Sequence, residues 1–245
     1  MTESENTREQ PTKVARLAKR DVWRFSTVKL LIALILLFAA TPFIEDLPNG
    51  ELVESGLITL VLIASLRVVG GEPRILLMAA LLVVPAVAGK WLNHLFPTSV
   101  PIHYFLVFGM AFMAFTAAVI LRFILRTSRV DAEVLCAGIV VYLMLGLLWS
   151  LAYVLLAQTT PDGFSFAGAG NSASRMDGFN AFYFSFGTLT TVGFGDITPV
   201  SRVARTLAIF EAVTGTFYLA ILISRLVGMY SPSIGSDRGQ GSDRS

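Results

Sequence analysis

Six apolar stretches dominate the chain: Val28–Ile44, Leu52–Val69, Ile75–Leu92, Tyr104–Leu125, Val134–Ala157 and Ser201–Met229. Crossing a hydrocarbon core takes roughly 17–25 apolar residues as helix. Inside lipid only elements that satisfy their own backbone are tolerated. Each stretch therefore predicts a transmembrane helix. Composition agrees, with 54% hydrophobic and 15% charged residues, against about 25% charge in a soluble domain. Pro85 is expected to kink the third helix, where neighbours supply partners for the freed carbonyl. The first stretch admits a second reading as a signal peptide. Its long charged leader and poor cleavage site, LFAAT, make that the minority reading.

Charge orients the helices. Residues 1–12 are polar and expected to be disordered. Between Lys13 and Lys29 stand six Lys or Arg against one acid, Asp21. The segment KVARLAKRDVWRF alternates basic and apolar residues, which suits either an amphipathic helix on an anionic membrane face or a simple positive flank. Glu45, Asp46, Glu51 and Glu54 fill the first connection, Arg67 and Arg74 bracket the second, and Arg122, Arg126 and Arg129 crowd the fourth. Positive charge at alternate loops places those loops in the cytoplasm. Both termini are then cytoplasmic, and Gln158 to Pro199 faces outward.

Several function classes fall away. A net charge of +2 gives no general case for nucleic acid. A single cysteine, Cys136, leaves no intrachain disulfide and no Cys-built metal site. His94 and His103 read as loop residues at the interface. No nucleophile–base pair, phosphate loop or small-molecule site stands out, so no enzyme and no cofactor are expected.

The fifth stretch is followed by a Gly/Ser/Ala-rich outer loop and then by Asp177, a good helix N-cap. Behind it, GFNAFYFSFGTLT repeats aromatics at helical spacing over a length too short to span a bilayer. A re-entrant helix is expected. The glycine-rich TTVGFGD that follows exposes backbone at membrane depth, which is tolerated only where it is buried in protein or lines a watery path.

Thr190-Thr191-Val192-Gly193-Phe194-Gly195-Asp196 resembles the selectivity filter of potassium channels, with Phe194 where many members carry Tyr. The resemblance extends over about Ala132 to Tyr230. It implies that the carbonyls of Thr191, Val192, Gly193 and Phe194 bind K⁺ as the transported ion, joined by the Thr191 hydroxyl, with Gly195 completing the strand. Aiming successive carbonyls one way needs alternate residues at positive φ, which Gly193 and Gly195 accept. The motif occurs once, so four copies are needed to close a ring, implying a homotetramer. By the same resemblance Thr190, Asp196 and Tyr183 support the filter. Tyr183 either bonds Asp196 or simply packs with its hydroxyl in water. Gly187 stands where some members carry a Glu that pairs with the filter Asp.

On the last helix, Gly215 matches the position of a gating hinge, or else serves close packing. Thr216, Leu219 and Ile223 share a face expected to line the cavity. Glu211 is an acid in mid-membrane and needs a partner. It is expected behind the pore helix on a hydroxyl such as Thr188 or Ser185, ahead of an ion pair with Arg205 or Arg202.

The expected architecture is an all-α membrane protein: a basic segment at 1–27, a four-helix transmembrane domain at 28–127, a pore domain at 128–230 with re-entrant helix and filter loop, and a disordered tail at 231–245. The body of the fourth helix is uncharged and its arginines sit at one end, so strong voltage gating is not expected. The short polar tail suggests no cytosolic ligand-binding ring. The leading reading is a passive potassium-selective channel in an inner membrane, partnered by its own copies and the bilayer. A potassium uptake transporter subunit and a non-conducting membrane sensor remain as alternatives.

Overall fold

The computed structural model describes residues 26–44, 50–69, 73–95, 102–127, 132–167 and 175–230. The basic segment before Ser26, Arg129, the loop acids Glu45 and Asp46, and the tail after Tyr230 lie outside them. Seven helices are described: α1 (Ser26–Ile44), α2 (Gly50–Val69), α3 (Pro73–Leu95), α4 (Ile102–Arg126), α5 (Ala132–Thr159), α6 (Gly178–Leu189) and α7 (Arg202–Tyr230). The chain is an all-α membrane protein with several membrane-crossing helices.

Among the described residues, Ser26–Ile44, Phe105–Arg126, Ala132–Thr159 and Arg202–Gly228 are long and apolar enough to cross a bilayer. The apolar runs of α2 and α3 are shorter, Ser55–Val68 and Arg74–Gly89. Pro85 lies inside α3 without ending it. Two details depart from expectation. His94 and His103 fall inside the ends of α3 and α4 and not in a free loop, because the helices run a turn past their apolar cores. Asp177 stands at the N-cap of α6 but its side chain caps no backbone N–H; the Asn180 amide points to it at 3.4 Å instead.

One continuous apolar core joins α1 to α5 and reaches Tyr218 of α7, centred on fully buried Leu30, Leu34, Phe112, Ile120 and Met144. Consecutive helices pack side by side from α2 to α5, and α5 then packs on α6 and α7. A second cluster lies under the segment that follows α5, where Tyr153, Phe164 and Phe184 meet edge to face at centroid distances of 4.9–5.8 Å.

That segment is not featureless. A 3₁₀ turn at Pro161–Gly163 leads into strand β1 (Phe164–Phe166), which pairs antiparallel with β2 (Ile197–Pro199) in the register Ser165 to Thr198. Ala167 N–H donates to the Asp196 carbonyl at 2.7 Å, and Val200 N–H to that of Gly163 at 2.8 Å. The segment leaving TTVGFGD is thus stitched to the segment leaving α5.

Candidate functional site

The re-entrant helix forms where the aromatic spacing puts it. α6 is 12 residues long, about 18 Å at 1.5 Å per residue, too short to span. Its rings interlock along one flank, and Phe182 and Phe186 each meet Phe38 of α1 edge to face at 4.8 Å. α1 therefore braces the pore helix directly.

Past Leu189 the chain turns back on itself. Thr190 N–H donates to the Phe186 carbonyl at 3.1 Å, Thr191 N–H to Thr188 at 2.9 Å, and Gly193 N–H to Gly187 at 3.0 Å. The Thr190 hydroxyl also donates to Phe186, at 2.6 Å. Residues of left-handed φ then alternate: Thr191 at 61°, Gly193 at 56° and Gly195 at 83°, with no positive φ at Val192 or Phe194. Such alternation turns successive peptide units so that their carbonyls face one side. Glycine adopts it freely, whereas a β-branched Thr191 is strained there. Among the described residues no backbone N–H donates to the carbonyls of Thr191, Val192, Gly193 or Phe194. Residues 190–196 are all exposed in the single chain.

Side chains hold this strand from behind. The Phe194 ring lies parallel to that of Tyr183 at 5.3 Å and 13°. Asp196 accepts the Ile197 N–H at 2.9 Å. The Tyr183 ring also stacks on Phe179 at 6.3 Å, so it is packed among aromatics.

Glu211 is completely buried and its carboxyl is gripped from two helices. The Ser185 hydroxyl lies 2.5 Å from Oε1 and the Tyr153 hydroxyl 2.5 Å from Oε2. Ser185 is one of the two partners expected. Tyr153 was missed, although a tyrosine in the body of an apolar helix needs a hydrogen-bond partner and so signals one. The competing ion pair is not formed among the described residues: Arg205 Nε donates instead to the Pro199 carbonyl at 3.1 Å.

The inward face of α7 runs through Ala204, Glu211, Gly215 and Tyr218, all buried. At Gly215 a Cβ would lie 2.3 Å from the Leu189 carbonyl oxygen, so the glycine lets α7 press on the end of the pore helix. α7 continues through it unbroken. Tyr218 donates to the Gly138 carbonyl at 2.6 Å, and Arg225 to that of Thr127 at 2.6 Å, joining α7 to α5 and to the end of α4. The opposite face, with Thr216, Leu219 and Ile223, is exposed. Only 17% of the apolar window of α7 is buried, against 39% for α5.

Comparison with known proteins meets this geometry. Residues 132–231 match a family described as "Ion channel". That stretch of the chain is similar to ion channels. Two curated proteins are similar to part of the chain. Two-pore potassium channel 4 of Arabidopsis thaliana is 33% identical over 85 residues, which is 35% of this chain and 29% of that protein. Protein LctB of Geobacillus stearothermophilus is 41% identical over 59 residues, 24% of this chain and 42% of that protein. The chain thus aligns with less than half the length of either relative.

Proposed function

We propose that this protein is a potassium-selective channel in which four copies place their Thr190–Asp196 strands around a common axis. A dehydrated cation needs oxygens at little cost, and rings of backbone carbonyls supply them, whether selectivity comes from cavity size or from the number and field of the carbonyls. The reading is carried by one observation: φ alternates in sign from Thr191 to Gly195 while the carbonyls of Thr191, Val192, Gly193 and Phe194 accept no backbone hydrogen bond among the described residues. Those four carbonyls and the Thr191 hydroxyl are the ion ligands in this reading. Thr190, Tyr183, Asp196 and Glu211 support them. The end of the pore helix, with its partial negative charge, faces an ion in the cavity.

The exposed face of α7 supports the tetramer, since an apolar helix so little buried in its own chain has surface for neighbours. Thr216, Leu219 and Ile223 then line the inner cavity. Bending at Gly215 withdraws α7 from Leu189, which makes that residue the gating hinge. Arg122 and Arg126 are exposed at one end of an α4 whose body carries no charge, which favours conduction with little voltage dependence. Six crossings, cytoplasmic termini and residence in an inner membrane complete the proposal.

The test is cation flux in liposomes containing the purified full chain, with its particle mass measured in parallel. Potassium flux well above sodium flux, from a particle of four chains, is the expected result. A monomer, or flux without preference for potassium, overturns the reading; coupling to a second ion would favour the transporter alternative.

A further inference from the structure

Three oxygen–oxygen contacts bind the group behind the pore helix. Tyr153 Oη meets Glu211 Oε2 at 2.5 Å, Ser185 Oγ meets Glu211 Oε1 at 2.5 Å, and Ser185 Oγ meets the Gly146 carbonyl at 2.7 Å. Each contact needs its own hydrogen. Each of the two hydroxyls supplies one, and a carbonyl supplies none. If Glu211 were a carboxylate, Ser185 would have one proton for two acceptors, and a pair of bare oxygens would be pressed together in the protein interior. Short separations occur in both charge states, so distance does not decide the matter; the hydrogen count does.

We infer that Glu211 carries its proton as a neutral acid, donating Oε1–H to Ser185, which donates onward to the Gly146 carbonyl, while Tyr153 donates to Oε2. One proton then completes a chain of hydrogen bonds linking α5, α6 and α7. The surroundings are consistent with this. Glu211 is fully buried, and an isolated charge there is costly unless paired. The titratable groups facing it are Tyr153 and, by its electrostatic reach, Tyr142, both on α5. From α6 it meets the non-titrating Ser185. On α7 the nearest cations, Arg202 and Arg205, are exposed and stand nine and six residues before it, and Arg205 is bound to Pro199. Among the described residues no cation pairs with it.

Ser185 sits five residues before Thr190, so the chain of bonds acts as a positioning device for the strand that follows. That consequence rests on the filter reading above; the proton count does not. Losing the proton leaves Ser185 with a single hydrogen to share, so the α5–α6–α7 clamp weakens as pH rises. Because the folded acid keeps its proton to higher pH than the unfolded chain's carboxyl does, stability is full below the ordinary carboxylate range, falls as pH rises above it and levels off once Glu211 itself ionises.

The experiment uses the purified full chain. Infrared difference spectra between wild type and Glu211→Gln at neutral pH are expected to contain a protonated-carboxyl C=O band that the variant lacks. Gln keeps one donor and one acceptor in the same places, so its melting temperature should match wild type below the ordinary carboxylate range and lose the decline that wild type displays as pH rises above it. No such band, or a variant whose melting falls with pH as wild type does, overturns the inference. Should Glu211→Gln fail to fold, Ser185→Ala decides: removing the acceptor of the proton must move the carboxyl band, and an unmoved or absent band overturns the inference. Potassium flux is recorded separately. Absent flux with the expected band sinks the filter reading and leaves the protonated clamp standing; selective flux without the band does the reverse.

Discussion

The helices before the pore loop and those around it use their polar side chains differently. In α1 and α2 the hydroxyls donate to their own helices, Thr41 to Leu37, Thr59 to Ser55 and Ser65 to Val61 at 2.6–2.7 Å, and Thr59 also accepts the longer Trp91 Nε1–H bond from α3 at 3.3 Å. Around the pore loop Thr206, Thr214 and Thr216 do the same, but the buried hydroxyls reach across: Tyr153 and Ser185 to Glu211, Ser185 to Gly146, Tyr218 to Gly138. Lipid tails are as apolar as leucine, so apolar contact alone gives helices little reason to prefer one register. A directional bond between helices sets position to a few tenths of an ångström. The first region is held together; the second is held in place. A strand whose φ alternates needs the second kind of support.

Substitutions can break or sharpen that contrast. The largest effect is expected for Gly193→Ala: φ of 56° strains any residue with a Cβ, so potassium-selective flux should vanish while the far-ultraviolet spectrum and particle size stay as in wild type. Gly215→Ala drives a methyl onto the Leu189 carbonyl and should cost about 1–3 kcal/mol by thermal unfolding, with altered flux. Tyr153→Phe removes one cross-helix bond to Glu211 and should cost about 1–2 kcal/mol. Ser65→Ala, deleting a hydroxyl that serves only its own helix, should stay within about 0.5 kcal/mol. If Ser65→Ala destabilised as much as Tyr153→Phe in the same unfolding assay, the distinction between the regions would fall.

Much of the fold was legible because the length and apolarity of a helix are local properties. The ends of all six long helices lie within about three residues of where hydropathy puts them, a usual uncertainty for helix boundaries. The short aromatic α6 and the glycines at positive φ followed from spacing and from the missing Cβ. Less legible were the groups that meet only after folding. Tyr153 precedes Glu211 by 58 positions, and no local pattern connects them. The β1–β2 ladder escaped because strands of three residues carry no periodicity to detect. The close approach of Gly215 to the Leu189 carbonyl likewise joins residues that no local pattern connects.

From composition and order alone came a membrane protein, its long helices, a re-entrant segment and a strand with glycines at alternate positions, since each depends on residues near one another in the chain. Folding in three dimensions decided what stands behind that strand: which hydroxyls grip Glu211, which ring lies on Phe194, and which face of α7 is left uncovered. Those choices depend on contacts between distant segments, whose partners are selected by shape and hydrogen-bond geometry and are not encoded in any single stretch.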